Sequence, residues 1–159
     1  MVDRRRIVVG VDGSPAAAAA LRWAIEQARV TGADVVEAVI AWELPGYYAL
    51  AGGATPPEGI DPEHLAAQVL SEAVERVTGG RAAVPVLQVV LPGLPSAALL
   101  AQARAAELVV VGSRGLGGFA GVLLGSVSRH VLEHAPCPAV VVRPARSDRG
   151  TGEHPVSGG

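Results

Sequence analysis

Residues 108–128 read Leu-Val-Val-Val-Gly-Ser-Arg-Gly-Leu-Gly-Gly-Phe-Ala-Gly-Val-Leu-Leu-Gly-Ser-Val-Ser. Leu108–Val111 has the unbroken apolar character of a buried strand. A glycine-rich loop follows, and then a helical segment that runs to about His134. A strand, a glycine loop and a helix start in that order build an anion site from backbone alone. Glycine lets the main chain approach an anion closely and take positive φ. The helix start adds unpaired N–H groups and the positive end of the dipole. Ser126 stands where an N-cap is expected, which would leave the amides of Val127 and Ser128 beside a bound anion. The plainer reading of the same glycines is a turn that binds nothing.

Two familiar phosphate motifs can be tested against this stretch. A Walker A loop needs Gly-Lys-Ser/Thr, and the chain contains no lysine. Gly115-x-Gly117-x-x-Ala120 fits the loose dinucleotide fingerprint, which also requires an acidic residue about twenty positions on. Val140 stands near that distance, inside another apolar run, so a Rossmann dehydrogenase fits poorly.

Outward from this stretch, short apolar runs alternate with helical patterns. Residues 6–11, 35–42, 84–91, 107–111 and 138–142 read as strands. Ser14 caps a helix that has Pro15 in its first turn and stops at Thr31-Gly32. Pro62 opens a second helix through Thr78, with Leu65, Val69, Ala73 and Val77 expected on its buried face. Pro95 opens a third through Ala105. Pro85 marks its strand as an edge, because proline cannot donate to a ladder. Residues 43–63 form a long Pro/Gly/Ala-rich loop of the kind that is usually functional. The alternation argues for a single α/β domain over 1–144, a parallel sheet with helices on both faces. The polar, glycine-rich segment 145–159 reads as a disordered tail.

The spacing Gly112-x-x-Gly115, nine residues, then Gly125-Ser126 resembles the nucleotide-binding signature of the universal stress protein family, in its ATP-binding branch. Ile7-Val-Val-Gly-Val-Asp-Gly-Ser14 and His134-Ala-Pro-Cys-Pro138 extend the resemblance over roughly residues 5–144. It implies an open five-stranded sheet of order 3-2-1-4-5, the adenine nucleotide alpha hydrolase-like fold. The winding would then reverse between strands 1 and 4, where ligands of such sheets bind. By the same resemblance, Asp12 lies at the ribose and phosphate end of a nucleotide pocket, and Val39, Ile40 and Ala41 touch adenine. Gly112, Gly115, Gly125, Ser126, Val127 and Ser128 match ribose and phosphate contacts, and Arg114 could add charge there. The implied ligand is ATP with Mg²⁺, or another adenine nucleotide such as cyclic AMP. The implied role is stress-linked regulation with at most slow hydrolysis, in a homodimer that pairs the fifth strand, Ala139, Val140, Val141 and Val142. Pro92 stands where relatives often carry an acid before glycine. On residues alone, Asp12-Gly13 is also an ordinary turn pair.

Composition narrows the classes further. Half of the 159 residues are hydrophobic but only 3% are aromatic, so Val, Leu, Ala and Ile must build the core. A formal net charge of -2, with scattered arginines, leaves no footprint for nucleic acid. No run approaches the length of a membrane helix, and the first apolar run, Ile7–Val11, is too short for a signal-peptide core. One cysteine, Cys137, in an apolar setting reads as packing in a reducing, cytoplasmic compartment. Two other classes compete. One is an interaction protein of the same fold with no nucleotide. The other is a hydrolase, on adenine nucleotides or through zinc, since His130-Val-Leu-Glu133-His134 is a literal His-x-x-Glu-His. No third zinc ligand is legible near it.

Overall fold

The computed structural model describes residues 4–43, 59, 61–116, 121 and 123–145. In chain order the elements are β1 (Arg6–Gly10), α1 (Pro15–Thr31), β2 (Val35–Trp42), α2 (Pro62–Thr78), β3 (Val86–Pro92), α3 (Pro95–Ala103), β4 (Leu108–Gly112), α4 (Ser126–His134) and β5 (Ala139–Val142). The strands form one parallel sheet in the order β3-β2-β1-β4-β5. That is the order the family resemblance implied. The expected loop over 43–63 and the tail beyond Ala145 lie almost wholly outside the described residues.

Strand side chains alternate between two cores, as a period of two requires. Ile7, Val9, Val36, Ala38, Ile40 and Val110 pack against α1 and α2 on one face. Val8, Val39, Val109 and Val111 pack against α3 and α4 on the other. Ser14 caps α1 as expected: its hydroxyl accepts the Ala17 N–H at 3.2 Å, and Pro15 opens the helix. Gly32, at φ 73°, closes it in the left-handed conformation that glycine takes without strain.

The buried face of α2 is turned from the expected one. Ala66, Leu70, Ala73 and Val74 are buried, whereas Leu65 is 52% and Val69 37% exposed. A strict i, i+4 row drifts around the helix axis, so positions 65 and 69 slide off the sheet while 73 and 77 stay on it. Smaller differences fall at element ends. β3 begins after Pro85, whose carbonyl accepts the Val36 N–H, and it is an edge strand, as that proline predicted. α3 stops at Ala103 rather than Ala105. Arg6 there draws the Gln102 and Ala105 carbonyls onto its guanidinium.

Arg6 also pairs with Glu37 at 2.9 Å, a carboxylate only 7% exposed inside β2. This bond joins β1, β2 and the turn into β4 at the end of the sheet away from the glycine loop. A buried acid of this kind is retained only with a partner.

Candidate functional site

The winding reverses between β1 and β4, and the loops that leave these strands diverge to opposite faces. Between them opens a cavity of about 660 Å³, within the usual range for small-molecule sites. All eleven residues to which the family resemblance pointed line it: Asp12, Val39, Ile40, Ala41, Gly112, Arg114, Gly115, Gly125, Ser126, Val127 and Ser128. Gly10, Val69, Leu99, Val111 and Leu116 line it as well. Val69 was missed because its i, i+4 spacing read as core. Leu99 and Val111 were missed because nothing local separates a cavity wall from packing.

Asp12 ties the two loops together. One carboxylate oxygen accepts the Ser14 N–H at 2.9 Å, and the other accepts the Leu116 N–H at 3.3 Å, across 104 residues of sequence. Gly13 turns the chain at φ 84° directly after it. Gly115 presses against the same carboxylate: a Cβ there would stand 2.7 Å from Asp12 Oδ2. The aspartate is thus both a turn residue and a clamp on the glycine loop.

At the start of α4 the structure corrects the expected cap. Gly125, not Ser126, is the N-cap: its backbone is extended and its carbonyl accepts the Arg129 N–H. No side chain bonds the helix start. Gly125 N–H is held by the Ser113 carbonyl, which seats the helix start one residue earlier than a serine cap would. Ser126 becomes the first helical residue, and the amides of Ser126, Val127 and Ser128 enter the cavity rim without a cap. The Ser128 hydroxyl donates to the Gly112 carbonyl, so it fastens α4 to β4 and keeps only its acceptor lone pairs for another partner.

The opposite end of the cavity is apolar, walled by Val39, Ile40, Val69, Leu99 and Val111. Ladder parity gives this end its polar groups. The Val39 carbonyl accepts the Val11 N–H, while the Trp42 carbonyl accepts from Gly93, so odd residues of β2 face β1 and even ones face β3. Ala41 therefore turns its N–H and C=O to the side of β1 beyond the point where β1 has ended. Neither group has a backbone partner there among the described residues, and Ala41 lines the cavity.

Charge in the cavity is sparse. Asp12 is its acid among the described lining residues and Arg114 its base. The zinc-like pair is arranged otherwise: the His130 and His134 rings stack at 4.3 Å, with His134 Nδ1 3.0 Å from the His130 carbonyl. Among the described residues, no three His, Cys, Asp or Glu side chains gather as a metal site. Cys137 is half-buried on the second core, and burial pushes its thiol above the ordinary range, which fits packing rather than thiolate chemistry.

Comparison with known proteins bears on this arrangement. The model of the universal stress protein family matches residues 3–143. A universal stress protein of Mycolicibacterium smegmatis is 38% identical over 145 residues, covering 89% of this chain and 47% of the relative. The chain spans about half the length of the curated relatives it matches. Among solved structures, universal stress protein UspA from Lactobacillus plantarum has a TM-score of 0.68 at 23% identity, over 90% of this chain and 100% of that one. A universal stress protein in complex with cAMP has a TM-score of 0.55 at 26% identity, over 89% and 98%. One from Archaeoglobus fulgidus in complex with dAMP has a TM-score of 0.54 at 25%, over 89% and 99%.

Proposed function

The chain belongs to the universal stress protein family, and from that premise we propose that it binds an adenine nucleotide, ATP included, in the crevice between β1 and β4. The observation that carries this reading is one cavity with an uncapped helix start at one end and the open Ala41 N–H and C=O at the other. Adenine offers a ring acceptor beside an amino donor, the complement of one backbone N–H and one C=O. Guanine reverses that pattern. The apolar walls cover the base, and the amides of Ser126, Val127 and Ser128 take the phosphate at the positive end of α4. The neighbours crystallised with cAMP and dAMP support an adenine ligand.

Mg²⁺ has little to hold it here. Both Asp12 oxygens already receive N–H groups, and no second carboxylate lines the cavity among the described residues. The ion would arrive on the phosphates and keep its waters. The same shortage leaves no free base beside the phosphate end among the described residues. We therefore read a regulatory binding protein of a cytoplasmic stress response, with at most slow hydrolysis. No helix among the described residues is long and apolar enough to cross a membrane.

Calorimetric titration with ATP, with and without Mg²⁺, and with AMP, cyclic AMP and GTP tests the reading. Saturable adenine-nucleotide binding is expected, with GTP roughly tenfold weaker from two mismatched hydrogen bonds. Absence of binding by every adenine nucleotide would overturn it, and the chain would be an interaction protein on the same fold.

A second proposal concerns assembly. β5 is an edge strand whose four residues, Ala139–Val142, are only half-buried, and such an apolar edge invites pairing with a second copy. Val141→Arg is expected to shift the mass measured by light scattering from dimer to monomer. An unchanged mass would place the interface elsewhere.

A further inference from the structure

α4 ends on His130-Val-Leu-Glu133-His134, a run that the crevice does not use. The two histidines stand four residues apart on a helix, so both imidazoles leave the same face. Val131 is buried in this turn, whereas His130 and His134 are exposed and open to an ion from solvent. A solvated last turn accounts for exposed histidines one at a time. It does not account for their convergence: the ring centres lie 4.3 Å apart, with 30° between the planes.

A hydrogen bond sets the chemistry of the second ring. His134 Nδ1 is 3.0 Å from the His130 carbonyl oxygen. A carbonyl can only accept, so Nδ1 carries the proton, and in the neutral ring Nε2 is left with the lone pair. Histidines that ligate metals are held in this way, with the other ring nitrogen donating to a carbonyl that fixes tautomer and orientation. Distance agrees with chelation as well. Two imidazoles on one ion, at metal–nitrogen distances near 2 Å and a near-tetrahedral angle, have ring centres roughly 5 Å apart. The observed spacing falls just short of that, and a small turn of two exposed side chains makes up the difference. The last carbonyls of α4 add the negative end of the helix dipole, which favours a cation there.

From this we infer that His130 and His134 together chelate one transition-metal dication of the Zn²⁺, Ni²⁺ and Cu²⁺ class. Imidazole suits these ions, whereas Mg²⁺ prefers oxygen ligands. Among the described residues no third His, Cys, Asp or Glu side chain gathers with the pair, so water completes the shell. The site is a two-point surface chelate and carries no catalytic step. It lies at the far end of α4 from the amides of Ser126, Val127 and Ser128 and does not rest on the nucleotide reading.

Calorimetric titration of the nucleotide-free protein with Zn²⁺, Ni²⁺, Cu²⁺ and Mg²⁺ in turn tests the site. One ion per chain is expected, Cu²⁺ tightest of the three transition metals, with no saturable Mg²⁺ binding. His130→Ala and His134→Ala should each weaken Cu²⁺ and Zn²⁺ about tenfold or more, because a chelate that loses one arm keeps a single contact. His64→Ala removes a separate exposed histidine of α2 and should stay within twofold of the wild type. An unchanged thermal midpoint of the metal-free variants checks the fold, and Zn²⁺ should raise that midpoint in the wild type but not in either variant. Nitrogen NMR of the rings supplies a reading that a merely structural pair would not move: Zn²⁺ should shift His134 Nε2 while Nδ1 keeps its proton. Affinity within twofold of the wild type in both variants, or a loss confined to one of them, would overturn the chelate. So would zinc on His134 Nδ1, or no saturable binding of any of the three ions.

Discussion

Gly112→Ala is expected to lower the stability of the fold by roughly 3 kcal/mol, the cost of forcing an extra carbon into a packed core. A Cβ at Gly112 would stand 2.7 Å from the Ala16 carbonyl carbon, 2.8 Å from its oxygen and 2.9 Å from its Cβ. These are main-chain atoms and a stub of side chain, and none can rotate away. Ala16 is itself buried in the first turn of α1, which the Ser14 cap and Pro15 hold in place. The strain is therefore relieved only by lifting α1 from β4. Gly10→Ala is the internal comparison. Its Cβ would meet Leu99 Cδ1 at 2.9 Å, the far end of a flexible side chain, so a cost nearer 1 kcal/mol is expected. Urea unfolding measures both as shifts of midpoint at constant slope. A Gly112→Ala protein within 1 kcal/mol of the wild type would show that α1 does not sit this close to β4.

Asp12→Asn should weaken adenine-nucleotide binding by roughly tenfold to a hundredfold, although it changes neither size nor shape. The carboxylate serves two N–H donors at once, Ser14 on one oxygen and Leu116 on the other. An asparagine offers one oxygen, and its amide nitrogen would face the remaining N–H donor to donor. One loop must then let go. If Leu116 is released, the Gly115 wall moves off the cavity; if Ser14 is released, the turn into α1 loosens. Either way the phosphate end loses its shape while the sheet beneath it stays intact. Calorimetry with ATP reads the loss, and a thermal scan separates it from unfolding. Wild-type affinity in Asp12→Asn would mean that the clamp does not shape the crevice.

Much of this molecule was legible in its sequence because the signals are local. Ser14-Pro15 opens α1 and Gly32 closes it through rules that operate within one helical turn. The runs at Val35–Trp42, apolar but for Glu37, and Leu108–Gly112 require cover on both faces, and the helices between them supply it. Pro85 foretold an edge strand because a missing N–H cannot be hidden in the middle of a sheet. The order of the strands was not local, and it came from the resemblance to a known family.

Where the reading failed, a distant partner decided the outcome. Ser126 has the chemistry of an N-cap, but the Ser113 carbonyl claims the Gly125 N–H and starts the helix at the glycine. Leu65 and Val69 have the spacing of a buried stripe, but the sheet meets α2 along 66, 70, 73 and 74. Sequence by itself determined which segments became strands and helices and where the glycine loop falls, and its resemblance to a known family pointed to the residues to look for. Only the tertiary structure decided that Asp12 would clamp Leu116 and that Arg6 would bury Glu37. The physical reason is the same in each case. These groups are separated along the chain by 104 and 31 residues, and no local preference aligns them until β1 is laid between β2 and β4.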